Sequence, residues 1–578
     1  MDELFFYYLS NPAYPDFSLL SFSTLALKTL TFQEREIMSK IIFFSGDSLK
    51  GKGRVFQGPT PSLPLTQDNK LSSATVINGE WELFSEKGFS GERWVISAES
   101  GPTSDGVYLE LEGFGNDQIS SFRPIMQAPI KHGNNGAEFQ SLFQNADGLP
   151  ELPPAIFPES SLLALGASDG PMLDDNSPNG DNPAIPAGYT YLGQFIDHDI
   201  TFDPTSKLTG NNVTSTINNF RTPCLELDNV YGAGPDDEPY LYDAQDKKKL
   251  LIGNPENSIG DVQRNRQGTA IIGDPRNDEN VIVSSIQFLM IRFHNKMVDK
   301  LRAEQVPESD VFKKAQQLIR WHYQWIVLND YLPRICGQDI VNDALTERRF
   351  YTPSTAAEIY MPLEFSVAAY RFGHGQVRET YRHNDVFQNA TLRELFFNFP
   401  TSALPRAVSS IWEISWPNFF AVDENIEPQK NRKINSKINR HLLHLPFIGP
   451  GDISSLAQRN LLRGVSMGLA SGQVVAERMD IAPLSIEEIN ANDPDNTLTQ
   501  LGLDTATPLW FYCLKEAEVQ TDGLQLGRVG GTIVAETLIG ILQIDEHSFL
   551  TANPTWTPDL VNSDGQFEMA DLIRFVAA

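Results

Sequence analysis

Gly193-Gln194-Phe195-Ile196-Asp197-His198-Asp199 sets an imidazole between two carboxylates and one helical turn after an amide. Packing alone does not ask for such a set. A histidine so flanked is a surface hydrogen-bond cluster, a metal ligand or a proton shuttle with a fixed tautomer. The chain has nine histidines, few enough to weigh one by one. His132, His383, His441, His444 and His547 lie in polar or loop surroundings. His294 and His322 fall within helical patterns, where a packed, hydrogen-bonded imidazole is expected.

Around this stretch the chain reads as helical. Ile282, Ile286, Leu289, Phe293 and Met297 recur at spacing three or four, predicting an amphipathic helix of about six turns. A second pattern covers 312–332 and is expected to end at Pro333. A third runs over 363–377, and the last ones over 534–542 and 569–576. Pro- and Gly-rich loops such as Leu149-Pro150-Glu151-Leu152-Pro153-Pro154 separate them.

The 578 residues exceed what one hydrophobic core organises, so two or more domains are expected. A formal charge of -29 argues against nucleic acid, anionic lipid or a polyanionic substrate as partner. The three cysteines, Cys224, Cys336 and Cys513, have no paired spacing, so neither a disulfide framework nor a thiolate metal site is indicated. No apolar run reaches the length of a membrane span, and the Met-Asp-Glu start lacks the positive charge of a secretory signal. A cytoplasmic protein, or one exported without a recognisable signal, is expected; the oligomeric state stays open. Residues 1–37 read as neither domain nor targeting segment. Met38, just before the strand-like Ile41-Ile42-Phe43-Phe44, is a candidate start of translation.

Between 41 and 125 short β-rich runs alternate with Gly and Ser turns, and the pattern occurs twice. Asp68-Asn69-Lys70-Leu71-Ser72-Ser73 is answered by Asn116-Asp117-Gln118-Ile119-Ser120-Ser121. Oxygen-only side chains in a loop suit calcium, although a single copy would read as a turn. Two copies favour Asp68, Asn69, Ser72, Asn116, Asp117 and Ser120 as calcium ligands. With Trp81-Glu82-Leu83-Phe84-Ser85-Glu86-Lys87-Gly88-Phe89-Ser90-Gly91, this stretch resembles the Greek-key motif of the βγ-crystallin family, in which that loop pattern binds calcium.

The histidine stretch, extended through Ile200-Thr201-Phe202-Asp203-Pro204, resembles the distal haem segment of the peroxidase-cyclooxygenase superfamily. Gly273-Asp274-Pro275-Arg276-Asn277-Asp278-Glu279-Asn280 is similar to its distal arginine loop. Ala369-Tyr370-Arg371-Phe372-Gly373-His374 is similar to its proximal histidine helix, and Leu225-Glu226-Leu227-Asp228-Asn229-Val230-Tyr231-Gly232 to the loop completing a bound calcium site. The blocks follow that family's order, and in detail the likeness is to bacterial members. The expected architecture is multidomain: an unassigned segment 1–37, an all-β Greek-key sandwich over 38–126, and a large, mainly α-helical haem peroxidase domain over 127–578.

The resemblance implies haem b with His374 on the iron and Asn435 as the hydrogen-bond partner of that imidazole. His198 would move peroxide's proton, Arg276 would stabilise the leaving oxygen, and Gln194 would hold water or a small anion. Arg276 could instead simply pair with Asp274 or Asp278. Arg371 would face a haem propionate or a carboxylate. Asp197 and Glu279 match positions that form ester links to haem. Asn280 stands where one mammalian member carries a methionine that makes a sulfonium link, so that link is chemically impossible here and donors easier than chloride are implied: bromide, iodide, thiocyanate or phenols. Asp199, Thr222, the Cys224 carbonyl, Glu226 and Asp228 would surround calcium. The expected partners are hydrogen peroxide and a small electron donor. The rival is a fatty-acid dioxygenase, which needs a tyrosine three residues before the proximal histidine. Arg371 stands there, and Tyr370, four before, is expected on another bearing of the helix. A calcium-dependent adhesion or matrix protein with a vestigial haem domain is the remaining alternative.

Overall fold

Residues 40–125 build the same three-stranded unit twice in the computed structural model. Strand β1 (Lys40–Gly46) lies between β2 (Lys50–Phe56) and β3 (Ser73–Asn78), and β4 (Glu80–Glu86) lies between β5 (Ser90–Ser97) and β7 (Ser121–Ile125). All pairs are antiparallel. The register slips between Phe44 and Gly46 in one copy and between Phe84 and Glu86 in the other. The second hydroxyl of each repeated loop opens a strand: Ser73 sits across from Phe44, and Ser121 across from Phe84. Strand β6 (Val107–Tyr108) leaves the second repeat to pair with β3 of the first, which is the crossing that makes a Greek-key sandwich. Alternate residues turn inward. Ile41, Phe43, Trp81, Leu83, Ile96 and Phe122 form a separate core, with the Phe43 and Phe122 rings 4.7 Å apart across the two sheets.

The structure describes residues 40–125 and 139–578 apart from 47–49, 57–62, 64–70, 72, 79, 88–89, 98–106, 109–118, 145–149, 178–179, 204–205, 207, 209–211, 213–216, 254–260, 398–409, 446–447 and 449–450. Asp68, Asn69, Ser72, Asn116, Asp117 and Met38 fall outside the described residues. Ser120 is buried, and its backbone joins Phe84 and Leu63. The chain divides into two units near residue 130.

The second unit is mainly helical. Helix α1 (Gly188–Ile200) is buried along nearly its whole circumference, as its apolar run Tyr189-Tyr191-Leu192-Phe195-Ile196 demands. Gly193 lets it close on Tyr331, because a Cβ there would lie 2.4 Å from the tyrosine Oη. Helix α2 (Val281–Ala303) fulfils the predicted six turns and is capped by Asn280, whose side chain accepts from Ile282 N and Val283 N. Helix α3 (Glu308–Ile326) does not stop at Pro333. It widens into a π turn over Val327–Tyr331 and resumes as Leu332–Cys336, with Pro333 in the first turn of the new segment, where its missing N–H costs nothing.

The segment expected as an α-helix over 363–377 is helical but not α. A π turn, Glu364–Ala368, passes into 3-10 turns, Ala369–Gln376. Outside contacts hold the segment. The Glu364 carboxylate accepts from Ser141 Oγ and Leu142 N, both at 2.7 Å, and Trp510 Nε1 donates to the Arg371 carbonyl at 3.1 Å in place of a ladder bond. Gly373 and Gly375 weaken the α preference further. Helices α4 (Leu456–Ser466), α5 (Leu509–Thr521) and α6 (Arg528–Ile544) pack around this segment. Among the described residues no helix is long and apolar enough to cross a membrane.

Candidate active site

Helix α1 and the 369–376 turns line one cleft. The helix contributes Thr190, Gln194, Asp197 and His198; the turns contribute Tyr370, Arg371, Phe372, Gly373 and His374; Tyr331, Phe396 and Leu442 complete the lining. His198 and His374, 176 residues apart in sequence, thus border the same space.

His198 is fully buried. Its Nδ1 lies 2.8 Å from Asn277 Oδ1, and Asn277 Nδ2 donates to Gln287 Oε1 at 2.8 Å. His374 Nδ1 lies 2.8 Å from Asn460 Nδ2, and Asn460 Oδ1 accepts from Arg371 Nη1 at 2.8 Å. The expected partner Asn435 is elsewhere. Its side chain accepts from Lys437 N, and only its backbone approaches the 369–376 turns, at Gly375. Asn460 comes from α4, an element that spacing from the proximal histidine could not locate. Its one signal was an amide among apolar core positions of that helix, beside Leu456, Ala457 and Leu461. Asn277 gave none, being one polar residue in a polar loop.

Arg276 takes the plainer of its two expected roles. Its Nη2 donates to Asp274 at 2.8 Å and to the carbonyls of His198 and Thr201 at 3.1 and 2.6 Å, and the guanidinium lies 4.5 Å from the Phe202 ring centroid. It is buried and does not line the cleft. Arg221 shares the carboxylate. Although burial alone would raise Asp274, the Arg221 and Arg276 guanidiniums hold it well below the usual carboxylate range. The 273–280 loop therefore clamps the end of α1.

Gln194 spans the other side of that loop. Its Nε2 donates to Glu279 Oε2 and its Oε1 accepts from Asn280 Nδ2, both at 3.1 Å. Of the two carboxylates expected to bond haem, Asp197 lines the cleft and accepts from Thr201 Oγ1 at 2.9 Å; Glu279 is not among the lining residues. Tyr370 corrects another expectation. Tyr370 and Arg371 both line the cleft.

The expected calcium donors stand near one another. Burial, then the charge of Asp228, raises Asp199 well above an ordinary carboxyl, and burial pushes Glu226 up to about 7 against the pull of Arg320. They do not form a ligand shell. Among the described residues no group of three or more His, Cys, Asp or Glu side chains is placed to hold a metal. Asp228 pairs with Arg221 Nη1 at 3.2 Å, the Cys224 carbonyl accepts from Glu226 N, and Thr222 accepts from Cys224 N through its carbonyl while its side chain hydrogen-bonds Glu226. The Arg221 guanidinium supplies counter-charge to Asp228.

A porphyrin fits the cleft by chemistry. Phe372, Phe396, Leu442 and Val377 give apolar walls, and His374 brings an imidazole to them. A Cβ built on Gly373 meets nothing within 4 Å, so the space beside the histidine is open. Residues 240–501 match the family described as Animal haem peroxidase, and residues 40–125 match Beta/Gamma crystallin. The helical unit is thus similar to the animal haem peroxidases over residues 240–501. Rat thyroid peroxidase is 26% identical over 280 residues, covering 43% of this chain and 29% of that protein. This chain therefore spans less than a third of that relative's length. Peroxidase A from Dictyostelium discoideum shares the fold at a TM-score of 0.52, with 16% identity over 77% of this chain and 93% of the other. Fatty acid alpha-dioxygenase from Oryza sativa shares it at the same TM-score, with 14% identity over 78% of this chain and 85% of the other. The expected kinship with bacterial members is corrected by these matches, since the peroxidase relatives come from rat, mouse, pig, fly, nematode, pearl mussel and slime mould.

Proposed function

We propose that the protein is a haem-dependent peroxidase that reduces hydrogen peroxide and oxidises a small donor such as bromide, iodide, thiocyanate or a phenol. The observation that carries this reading is the cleft bordered by two histidines, each with its Nδ1 held by a buried asparagine. His374 would hold the iron through Nε2, Arg371 would meet a carboxylate of the macrocycle, and Asp197 would form an ester link. Haem, when bound, supplies the metal on which the O–O bond of peroxide is split.

His198 does the proton work. With its proton on Nδ1 and Asn277 accepting it, Nε2 has the lone pair that takes a proton from peroxide and delivers it to the departing oxygen. Burial excludes bulk water from that exchange. Arg276 contributes by fixing the carbonyls of His198 and Thr201, and thereby the end of α1. Calcium beside Asp199, Glu226 and Asp228 would relieve the mutual repulsion that raises their carboxyls. In the N-terminal unit, calcium would take the repeated loop ending at Ser120. Optical spectra before and after hydrogen peroxide, for the wild type and for His374→Ala, test the reading. A Soret band that responds to peroxide and is absent from the variant is expected; the same band in both would sink it.

Tyr370 favours a second reading, oxygenation of a fatty acid. Its side chain borders the cleft beside Phe372, Phe396 and Leu442. Oxygen uptake with linoleate in the absence of peroxide, lost in Tyr370→Phe, would support this over the peroxidase.

A further inference from the structure

We infer that Asn277, Gln287 and the backbone carbonyl of Asn229 form a one-way hydrogen-bond relay that fixes the proton of His198 on Nδ1 and ties that tautomer to the 225–232 loop. The direction is set at the far end. A backbone carbonyl only accepts, so the Gln287 amide group 3.1 Å from Asn229 O must be the donor, Nε2. Gln287 Oε1 then faces Asn277 at 2.8 Å and takes a proton from Nδ2. Asn277 is left presenting Oδ1 to His198 Nδ1 at 2.8 Å, and an amide oxygen cannot donate. The imidazole must therefore carry its proton on Nδ1. Turning over Gln287 would set two acceptors together at Asn229 O and two donors together at Asn277 Nδ2, and turning over Asn277 alone would set its Oδ1 against Gln287 Oε1.

Burial makes the relay binding. Asn277, Gln287, Asn229 and His198 are all fully buried, so no solvent competes for these polar atoms. The elements also hold the geometry. Asn277 sits in the 3-10 turn Pro275–Asp278, whose start is capped by Asp274, and Gln287 projects from the second turn of α2. Asn229 closes the loop mechanically: its Nδ2 donates to the Phe195 carbonyl at 3.3 Å, one turn before His198 on α1. Asp228, the preceding residue, pairs with Arg221. The loop thus grips the helix by one group and sets the tautomer of its histidine by another. Asn277 and Gln287 touch no reacting atom; they are positioning residues.

The catalytic consequence rests on the peroxidase reading, whereas the tautomer does not, and the experiment separates them. The full-length chain is labelled with 15N-histidine, and the long-range proton–nitrogen correlation of His198 is assigned by its loss in His198→Gln. The wild type is expected to show the Nδ1-protonated form. Asn277→Val should shift it to a mixture or to the Nε2 form, Asn277→Asp should restore it, and Gln287→Met should loosen it. The double variant Asn277→Val/Gln287→Met should be no worse than Asn277→Val alone. In the haem-loaded protein, Asn277→Val should slow the peroxide-driven Soret change by about 10- to 100-fold without altering the donor KM, with recovery in Asn277→Asp. An Nε2-protonated wild type, or a tautomer indifferent to both Asn277→Val and Gln287→Met, overturns the relay. If Asn277→Val does not fold, Gln287→Met decides alone. Failure to take up haem would strike the peroxidase reading and leave the tautomer result standing.

Discussion

Asn460 Nδ2 sits 2.8 Å from His374 Nδ1 while its Oδ1 accepts from Arg371, so the amide is oriented by a guanidinium that can only donate. In this arrangement the imidazole proton belongs on Nε2, the atom that would face a metal. Axial ligation needs the reverse, a proton on Nδ1 and a lone pair on Nε2. Iron binding therefore requires the Asn460 amide to turn over and Arg371 to release it, which a carboxylate of the cofactor would favour.

The first prediction follows from that coupling. Asn460→Leu should weaken haem affinity by about 10- to 100-fold, and Asn460→Asp, which accepts from Nδ1 in either orientation, should retain it. Haem titration followed at the Soret band measures both. Equal affinity in the wild type and the leucine variant would show that the amide plays no part.

Asp274 answers to two buried arginines. Asp274→Asn leaves Arg221 and Arg276 sharing one neutral amide, and the loss should be about 3–5 kcal/mol by urea unfolding. The pH sign is definite: a carboxyl held low in the folded chain stabilises fully above the ordinary aspartate range. That contribution fades as pH falls below about 4, so acid should narrow the gap between wild type and variant.

Gly193 and Tyr331 are in closest approach at the cleft. In Gly193→Ala the new Cβ would sit 2.4 Å from Tyr331 Oη, and overpacking of this kind costs about 1–3 kcal/mol. Removing the hydroxyl in Tyr331→Phe should recover most of the loss. Denaturation of the two single variants and the double variant forms a cycle whose additivity would rule out the clash.

Which features could be read from the sequence follows from how local their causes are. The repeat at 40–125 was legible because strand alternation and the doubled loop are properties of neighbouring residues. The long helix at 281–303 was legible for the same reason, its apolar positions lying three and four apart. The 363–377 segment misled because the Arg371 carbonyl is claimed by Trp510, which lies far away in sequence. His198 and His374 stood out by their motifs. Their partners did not: an asparagine that orients an imidazole is known only once α4 or the 275–278 turn has been placed against it. Arg276 shows the opposite failure, since its motif suggested a group in the cleft while its hydrogen bonds run to Asp274 and to the carbonyls of α1.

Glu516 offers a prediction away from the cleft. Fully buried on α5, it accepts from Val529 N and Gly530 N at the start of α6, and burial pushes its carboxyl up to about 7 despite those two donors. Because the folded value is raised, the unfolded chain gives up this proton first. Stability from this group is complete below about 4.5, declines as pH rises to about 7, and is level beyond, a total on the order of 3 kcal/mol. Glu516→Gln keeps an oxygen for the two N–H groups and removes the titration. The unfolding free energy of the wild type minus that of the variant should therefore fall steadily between pH 5 and pH 7 and then flatten. Parallel curves over that window would mean that Glu516 titrates normally and that burial does not hold it in the protonated form.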